Sequence, residues 1–427
     1  MESAPSSGQA PSPGTATSPF HGWRIVAGAF AIYFVSGGLF NTATIYLKAL
    51  TSEFGWDRGE VSGVFSLGFL VVGLASPIWG RVADRRGPRS SFLPGVVITG
   101  VLCIALSRVW SLPSLYGLYA LFTFGFAALS VIPISVLLAN WFVRKRGRAI
   151  GIAYTGVGFG TLLLTPVVGF LVASIGWRGA YVTSGIAVLG LLTPVVLRIT
   201  DRPQDLGLTA DGLPPSEEEA SPSLLDPVAL SGTSGLSVAE ALRTSAFWIV
   251  AFIWLMTMMP LSAVSLHQVP FMTDLGLSTQ WASVAAGCVG GLSILGRIGA
   301  GFLSERLSIQ RIYAACYLLL GLGIGSLWAT TTLGPLALVP YVACFGIAVG
   351  GCFALTALLV GHLFGSRALG EIFGALGLAG TTGGAIGGTG AGLLFDAFGS
   401  YDGVFAACIA LSLLGSVLIL CVRRPSR

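Results

Sequence analysis

The sequence predicts an all-α integral membrane protein, with twelve transmembrane helices in two pseudo-symmetric six-helix bundles and both termini in the cytoplasm. Three observations predict it. Of 427 residues, 54% are hydrophobic and only 10% are charged, and mean hydropathy is +0.84; a soluble chain carries about a quarter charged residues. The apolar residues run in long continuous stretches, which selects helices over the ten-residue alternation of a membrane barrel. The pattern of the first half also recurs in the second.

The first twenty residues are rich in Pro, Ser, Gly and Thr, with no charged stretch leading into a short apolar run. They read as a disordered tail rather than a cleaved signal peptide. Twelve apolar segments follow, near 23–47, 60–80, 91–109, 112–139, 149–174, 180–198, 246–272, 280–301, 311–330, 335–362, 370–395 and 403–422. Residues 21–198 then form an N-terminal bundle and 246–422 a C-terminal one. The intervening 199–245 carries Pro203, Pro214, Pro215, Pro222 and the run Glu217-Glu218-Glu219, the composition of a mobile cytoplasmic linker. It ends in a capping box, Ser237 with Glu240, opening a short helix through Arg243. Residues 423–427 are a tail.

Lys and Arg set the orientation. With the N-terminus inside, seventeen of the 23 fall in inner loops and the C-terminal tail; Lys48, Arg58, Arg108 and Arg178 fall outside. The repeat is explicit. Gly147, Gly151, Gly160, Gly169 and Gly176 match Gly370, Gly374, Gly383, Gly392 and Gly399 at an offset of 223, and Gly80–Arg85 matches Gly301–Arg306 at 221. Paired bundles with a site between them at mid-membrane are a transporter design.

Other chemistries find no support. No phosphate-binding GxxxxGK[ST] loop is present. Three scattered histidines make no metal cluster, and the seven cysteines form no CxxC pair. There is no basic stripe with interleaved aromatics for nucleic acid, and no Ser/His/Asp set shares a membrane layer. The chain is expected to be no enzyme, to need no cofactor and to act as a monomer in the lipid bilayer.

One charge stands out. Trp281–Gly301 is long enough to span and contains only Arg297, about two helical turns, roughly 12 Å, from the inner edge. A guanidinium there costs at least ~2.5–3.5 kcal/mol to insert and cannot shed its proton. It needs an anion, dipoles or water, or it snorkels along its stem; the depth favours an anion. Around it, Asn41 and Ser293 are candidate lining residues, although Asn also serves interhelical bonding and Ser293 can bond back to its own helix. Tyr33 and Tyr154 line the site or sit as packing aromatics. His267, near the outer end of the seventh span, either takes part in proton uptake or stands at the mouth as a surface residue.

Gly80-Arg-Val-Ala-Asp84-Arg85-Arg86-Gly87-Pro88-Arg89 resembles the loop between spans 2 and 3 of the major facilitator superfamily, and Glu305-Arg306 repeats its acid–arginine pair. The resemblance covers nearly the whole chain and implies the fold of that superfamily. Gly80, Asp84, Arg85, Arg89, Glu305 and Arg306 are then candidate gating residues, latching the bundles on the cytoplasmic side. Trp141-Phe142-Val-Arg144-Lys145-Arg146 through Gly156 is similar to the monocarboxylate-porter signature entering span 5. Trp141, Arg148 and Thr155 depart from it, and of the motif before span 1 only Gly22-Trp23 remains. The chain is thus similar to the bacterial branch shared with oxalate/formate antiporters more than to animal lactate carriers.

In that family Arg297 falls at the substrate arginine. The acid one turn earlier is Ser293 here, the family's lysine of span 1 aligns with Asn41, and span 11 has no second cation. A single guanidinium suits a single carboxylate, since a dianion would leave one unpaired in low dielectric. The resemblance therefore implies a secondary transporter of the inner, cytoplasmic membrane. It would move a small organic anion, a monocarboxylate, by alternating access with protons as partner. Anion exchange, facilitated diffusion and export of amphiphiles are the alternatives.

Overall fold

A computed structural model describes residues 21–142, 145–212, 236–304, 306–364 and 369–422, and among these every regular element is a helix. The tails and most of the expected linker, including the Glu217–Glu219 run, lie outside the described residues.

Helices α1 (Gly22–Phe40) and α2 (Ala43–Phe54) make the first crossing. α3 (Arg58–Arg86) and α4 (Arg89–Leu106) make the second and third, and α5 (Leu112–Ala127) with α6 (Val131–Trp141) the fourth. α7 (Arg146–Ala187) holds two crossings, because it doubles back at Gly176, where φ is 76° and ψ is 166°; only glycine enters that region without strain. Its second limb continues through a π-turn, Val188–Leu192, into α8 (Thr193–Leu197). After the short α9 (Val238–Leu242) come α10 (Ser245–Asp274), α11 (Thr279–Ser304), α12 (Ile309–Leu333), α13 (Leu338–Phe364), α14 (Leu369–Phe398) and α15 (Asp402–Cys421).

Among the described residues ten runs are long and apolar enough to cross a membrane, one of them the 50-residue Arg148–Leu197 that turns at Gly176. α14, thirty residues long, stands outside those ten because its glycines and threonines dilute its hydropathy. Counting it and both limbs of α7, the described residues make the twelve crossings expected. Leu74, Leu322 and Val417 point outward at more than 60% exposure, as lipid-facing residues do, and Trp110, Trp248 and Trp281 stand out near helix ends.

Two of the crossings predicted as continuous are broken. Asn41 Nδ2 and Thr42 Oγ1 bond back to the carbonyls of Gly37 and Leu39, at 2.9 and 2.7 Å, and these local bonds compete with the helix ladder. In the fourth crossing Ser130 is extended (φ −96°, ψ −168°). The two breaks are neighbours: Phe40 stacks on Phe126 with centroids 4.6 Å apart.

The repeat survives as packing. α1 packs on the first limb of α7 as α10 packs on α14, and α3 packs on α5 as α11 packs on α13. Where the first pair closes in, a Cβ on Gly160 would overlap the carbonyl of Phe34; in the second, one on Gly383 would overlap that of Leu255. These positions differ by the same 223 and 221 residues as the sequence repeat. Backbones this close need small residues, the usual means of joining helices where lipid offers no hydrophobic drive.

Two further seams join early crossings to late ones, α7 with α11 and α3 with α14. Each is an antiparallel ladder. Along the first, Gly169 faces Ser283, Gly290 faces Thr161 and Gly158 faces Ile294; along the second, Gly392 faces Ser62, Gly384 faces Phe69 and Gly73 faces Thr381.

The start of the expected linker is ordered. Asp201 accepts from the backbone N–H of Arg89 at 2.7 Å, in space that Gly87 (φ 89°) leaves by having no Cβ. Burial raises the Asp201 carboxyl above the usual range, with the Arg89 bond opposing the rise. The capping box before α9 forms as expected: Ser237 Oγ accepts from Glu240 N at 3.3 Å, and Ser237 N donates to Glu240 Oε2 at 2.7 Å.

Candidate functional site

Arg297 lies on α11 seven residues before its end, about 10 Å from the basic side at 1.5 Å per residue. It faces the seam with α7. Nη1 donates to the main-chain carbonyl of Tyr154 at 3.2 Å, and among the described residues Arg297 has no carboxylate partner. One neutral acceptor leaves most of its five N–H groups to other partners.

Two tyrosines lie beside it. The Tyr33 ring, on α1, sits 5.3 Å from the Tyr154 ring and is near enough to Arg297 to interact with its charge. The Tyr154 hydroxyl and the hydroxyl of Ser135, on α6, are 2.6 Å apart. Arg297, Tyr33 and Tyr154 are thus brought together from three helices.

Asn41 lies two turns farther in. It is exposed, at the break between α1 and α2, and its Nδ2 donates to Thr161 Oγ1 at 3.1 Å. Thr161 faces Gly290 across the seam, two turns or about 10 Å along α11 from Arg297. Ser293 is turned elsewhere. Its Oγ bonds back to Gly290 O at 2.6 Å, and its backbone lies against Gly350 of α13.

His267 is not at the surface, contrary to one of the two readings of the sequence. It is 2% exposed, with Nδ1 2.9 Å from the Tyr401 hydroxyl and Nε2 3.0 Å from the Gly388 carbonyl. It belongs to the end of the molecule opposite the basic loops and stands apart from Arg297.

The candidate gating residues sit as follows. Gly80 is buried, with a Cβ position 2.9 Å from an Ile132 methyl. Asp84, Arg85 and Arg306 are exposed, and Asp84 makes no hydrogen bond or ion pair among the described residues. Glu305 lies outside the described residues. The carboxylate capping the Arg89 end of α4 is Asp201, from within the same half.

The ion pairs that do cross between early and late crossings are at the opposite end. Lys48 and Arg58 both pair with Asp274. Asp396 accepts from the first two amides of α3, Arg58 N at 3.0 Å and Gly59 N at 2.5 Å, where a carboxylate also complements the helix dipole. Thr44 Oγ1 accepts from Val269 N at 3.3 Å. Among the described residues no such bond lies on the basic side of Arg297. Sequence reasoning missed this network. Its signal was present in topology alone, since Lys48, Arg58, Asp274 and Asp396 are charges at span ends that alternation places on one side.

Comparison with known proteins agrees with this architecture. Residues 29–388 match the Major Facilitator Superfamily. Monocarboxylate transporter 12 of Rattus norvegicus is 26% identical over 414 residues, covering 93% of this chain and 84% of that protein. Monocarboxylate transporter 11 of Mus musculus is 28% identical over 410 residues, covering 93% and 86%. Among solved structures, a bacterial homologue of the human lysosomal transporter Spinster, in an inward-facing and unoccupied conformation, superposes with a TM-score of 0.72 at 16% identity, covering 96% of this chain and all of that one. A point mutant of the nucleoside transporter NupG gives 0.73 at 13% identity, covering 93% and 99%. Twelve helical crossings, a doubled packing plan and a match over most of its length make this chain a member of the Major Facilitator Superfamily, a membrane transporter and not an enzyme.

Proposed function

We propose that the protein carries a small monocarboxylate across the membrane by alternating access, with Arg297 as the residue that binds the carboxylate. The observation that carries this reading is the Arg297 guanidinium, set about 10 Å into the membrane at the seam between early and late crossings and held by one backbone carbonyl. A cation so placed is costly until an anion joins it. The relatives named as monocarboxylate transporters support the same substrate class. Tyr33 and Tyr154 border the anion, and Asn41 with Thr161 offers polar contacts about two turns beyond.

The ion pairs at the end away from the basic loops support a conformation closed there. With the basic loops in the cytoplasm, that is the inward-facing arm of the cycle, in a cytoplasmic membrane. Asp84, Arg85, Arg89, Glu305 and Arg306 would then meet only in the opposite conformation. Proton coupling, the mode implied by the resemblance, needs a titratable group away from Ser293.

Uptake of labelled pyruvate or lactate into proteoliposomes tests the reading. Arg297→Gln is expected to reduce uptake at least a hundredfold while the protein still elutes as a single folded species in detergent. Undiminished uptake by that variant would refute the assignment.

A further inference from the structure

The end opposite the basic loops holds a chain of hydrogen bonds that carboxylate binding does not use. Arg58, the first residue of α3, reaches across the seam into a socket built by late crossings. Its Nη2 pairs with Asp274, its Nη1 donates to the Tyr401 hydroxyl at 2.7 Å, and its guanidinium lies 3.9 Å from the centre of the Phe395 ring. The Tyr401 hydroxyl and the Gly388 carbonyl then hold the two nitrogens of buried His267.

The direction of each proton follows from the partners. A carbonyl only accepts, so His267 Nε2 carries hydrogen. Arginine only donates, so the Tyr401 oxygen accepts from Arg58 and gives its one proton to Nδ1. The ring is neutral in this conformation. A second proton, on Nδ1, would need an acceptor, and the phenol oxygen facing it is already taken by a cation. The phenol proton would lose its own acceptor, and two positive groups would share one hydroxyl.

We propose that this chain is a pH-linked lock on the gate opposite the basic loops: Arg58 seats on Tyr401 only over a neutral His267, and a proton on His267 holds that gate open. The proposal rests on the alternating-access reading and adds regulation to it. Other charged groups face the same socket. Asp274 closes α10, Lys48 comes from α2 and Asp396 from α14, whereas Asp402 turns to Trp328 Nε1 at 2.7 Å. The His267→Gln variant separates a response of the histidine from one of these neighbours.

A second observation marks this seam as one that opens. The hydroxyls of Ser66, on α3, and Ser262, on α10, are buried without a partner. Both point at the face of Gly388, whose absent Cβ would lie 2.9 and 3.2 Å from them. Buried hydroxyls are normally paired; parting of α3 from α14, beside the carbonyl that holds His267, would open them to solvent.

The test uses the full-length protein with its native cysteines replaced and spin labels at Ser52→Cys and Phe398→Cys, exposed positions on α2 and α14. Without substrate, the separated population is expected to rise as pH falls from 8 to 5.5, by up to tenfold per pH unit, the limit for one proton. In His267→Gln the same distance should not change with pH. In Tyr401→Phe, which keeps the ring and removes both bonds, the gate should be open-shifted at every pH. Arg297→Gln should keep the wild-type pH response; a wild type that keeps the response yet binds no carboxylate would sink the substrate reading alone. A wild-type distance that ignores pH, or a slope that survives unchanged in His267→Gln, overturns the lock.

Discussion

At Arg297 the deciding feature is which atom of Tyr154 it touches. The guanidinium bonds the main-chain carbonyl, whereas the phenol is engaged with Ser135. Tyr154→Phe therefore leaves the contact intact, and uptake is expected to stay within about threefold of wild type. The protein should lose about 0.5–1.5 kcal/mol of stability, the usual net worth of one hydrogen bond, read as a lower melting temperature. Loss of uptake as complete as that of Arg297→Gln would make the phenol itself a substrate ligand. Arg297 was legible from the sequence because a permanent charge inside an apolar run needs an explanation. The orientations of Ser293 and His267 were not legible. Ser293 bonds back within its own helix, one of its two readings, and His267 takes its partners from distant helices, Tyr401 lying 134 residues away.

Among the elements, glycine-lined faces separate two kinds of contact. Gly290 faces Thr161 across the α7–α11 seam, whereas Gly350 lies against the Ser293 backbone between α11 and α13. If only the seams part during transport, bulk at the two positions has different consequences. Gly290→Val should still give folded protein, with the seam wedged and the conformational equilibrium displaced. Gly350→Val forces apart two backbones with nowhere to go, and the yield of monodisperse protein should collapse. Size-exclusion profiles of both variants check this; equal losses would contradict the division. The paired glycines of spans 5 and 11 were readable as bare helix faces. Which helix each face meets was not, because small residues in lipid allow close packing without naming the partner. The breaks at Asn41–Thr42 and Ser130 were likewise hidden, since the apolar runs around them are unbroken.

For the whole molecule, the count and doubling of crossings were plain in hydropathy and in the glycine offsets, and the packing of Gly160 and Gly383 repeats those offsets in three dimensions. Which end is closed was not readable: on the alternating-access reading, one sequence would support both conformations. Orientation has its own check. A cysteine at Arg306 should react with a membrane-impermeant thiol reagent only after cells are permeabilised, and one at Phe398 in intact cells; the reverse pattern would invert the assigned sidedness.

The proposed transport depends on one interaction, a carboxylate on Arg297, and ligand-dependent melting of the purified protein measures it most directly. Pyruvate, lactate, formate and oxalate are compared at two pH values, for wild type and Arg297→Gln. A ligand at a hundredfold its dissociation constant stabilises by about 2.7 kcal/mol. The wild type should therefore melt several degrees higher with a monocarboxylate, less so with the dianion, and the variant should show no shift. Equal shifts in the two proteins, or a shift with none of the acids, would contradict it.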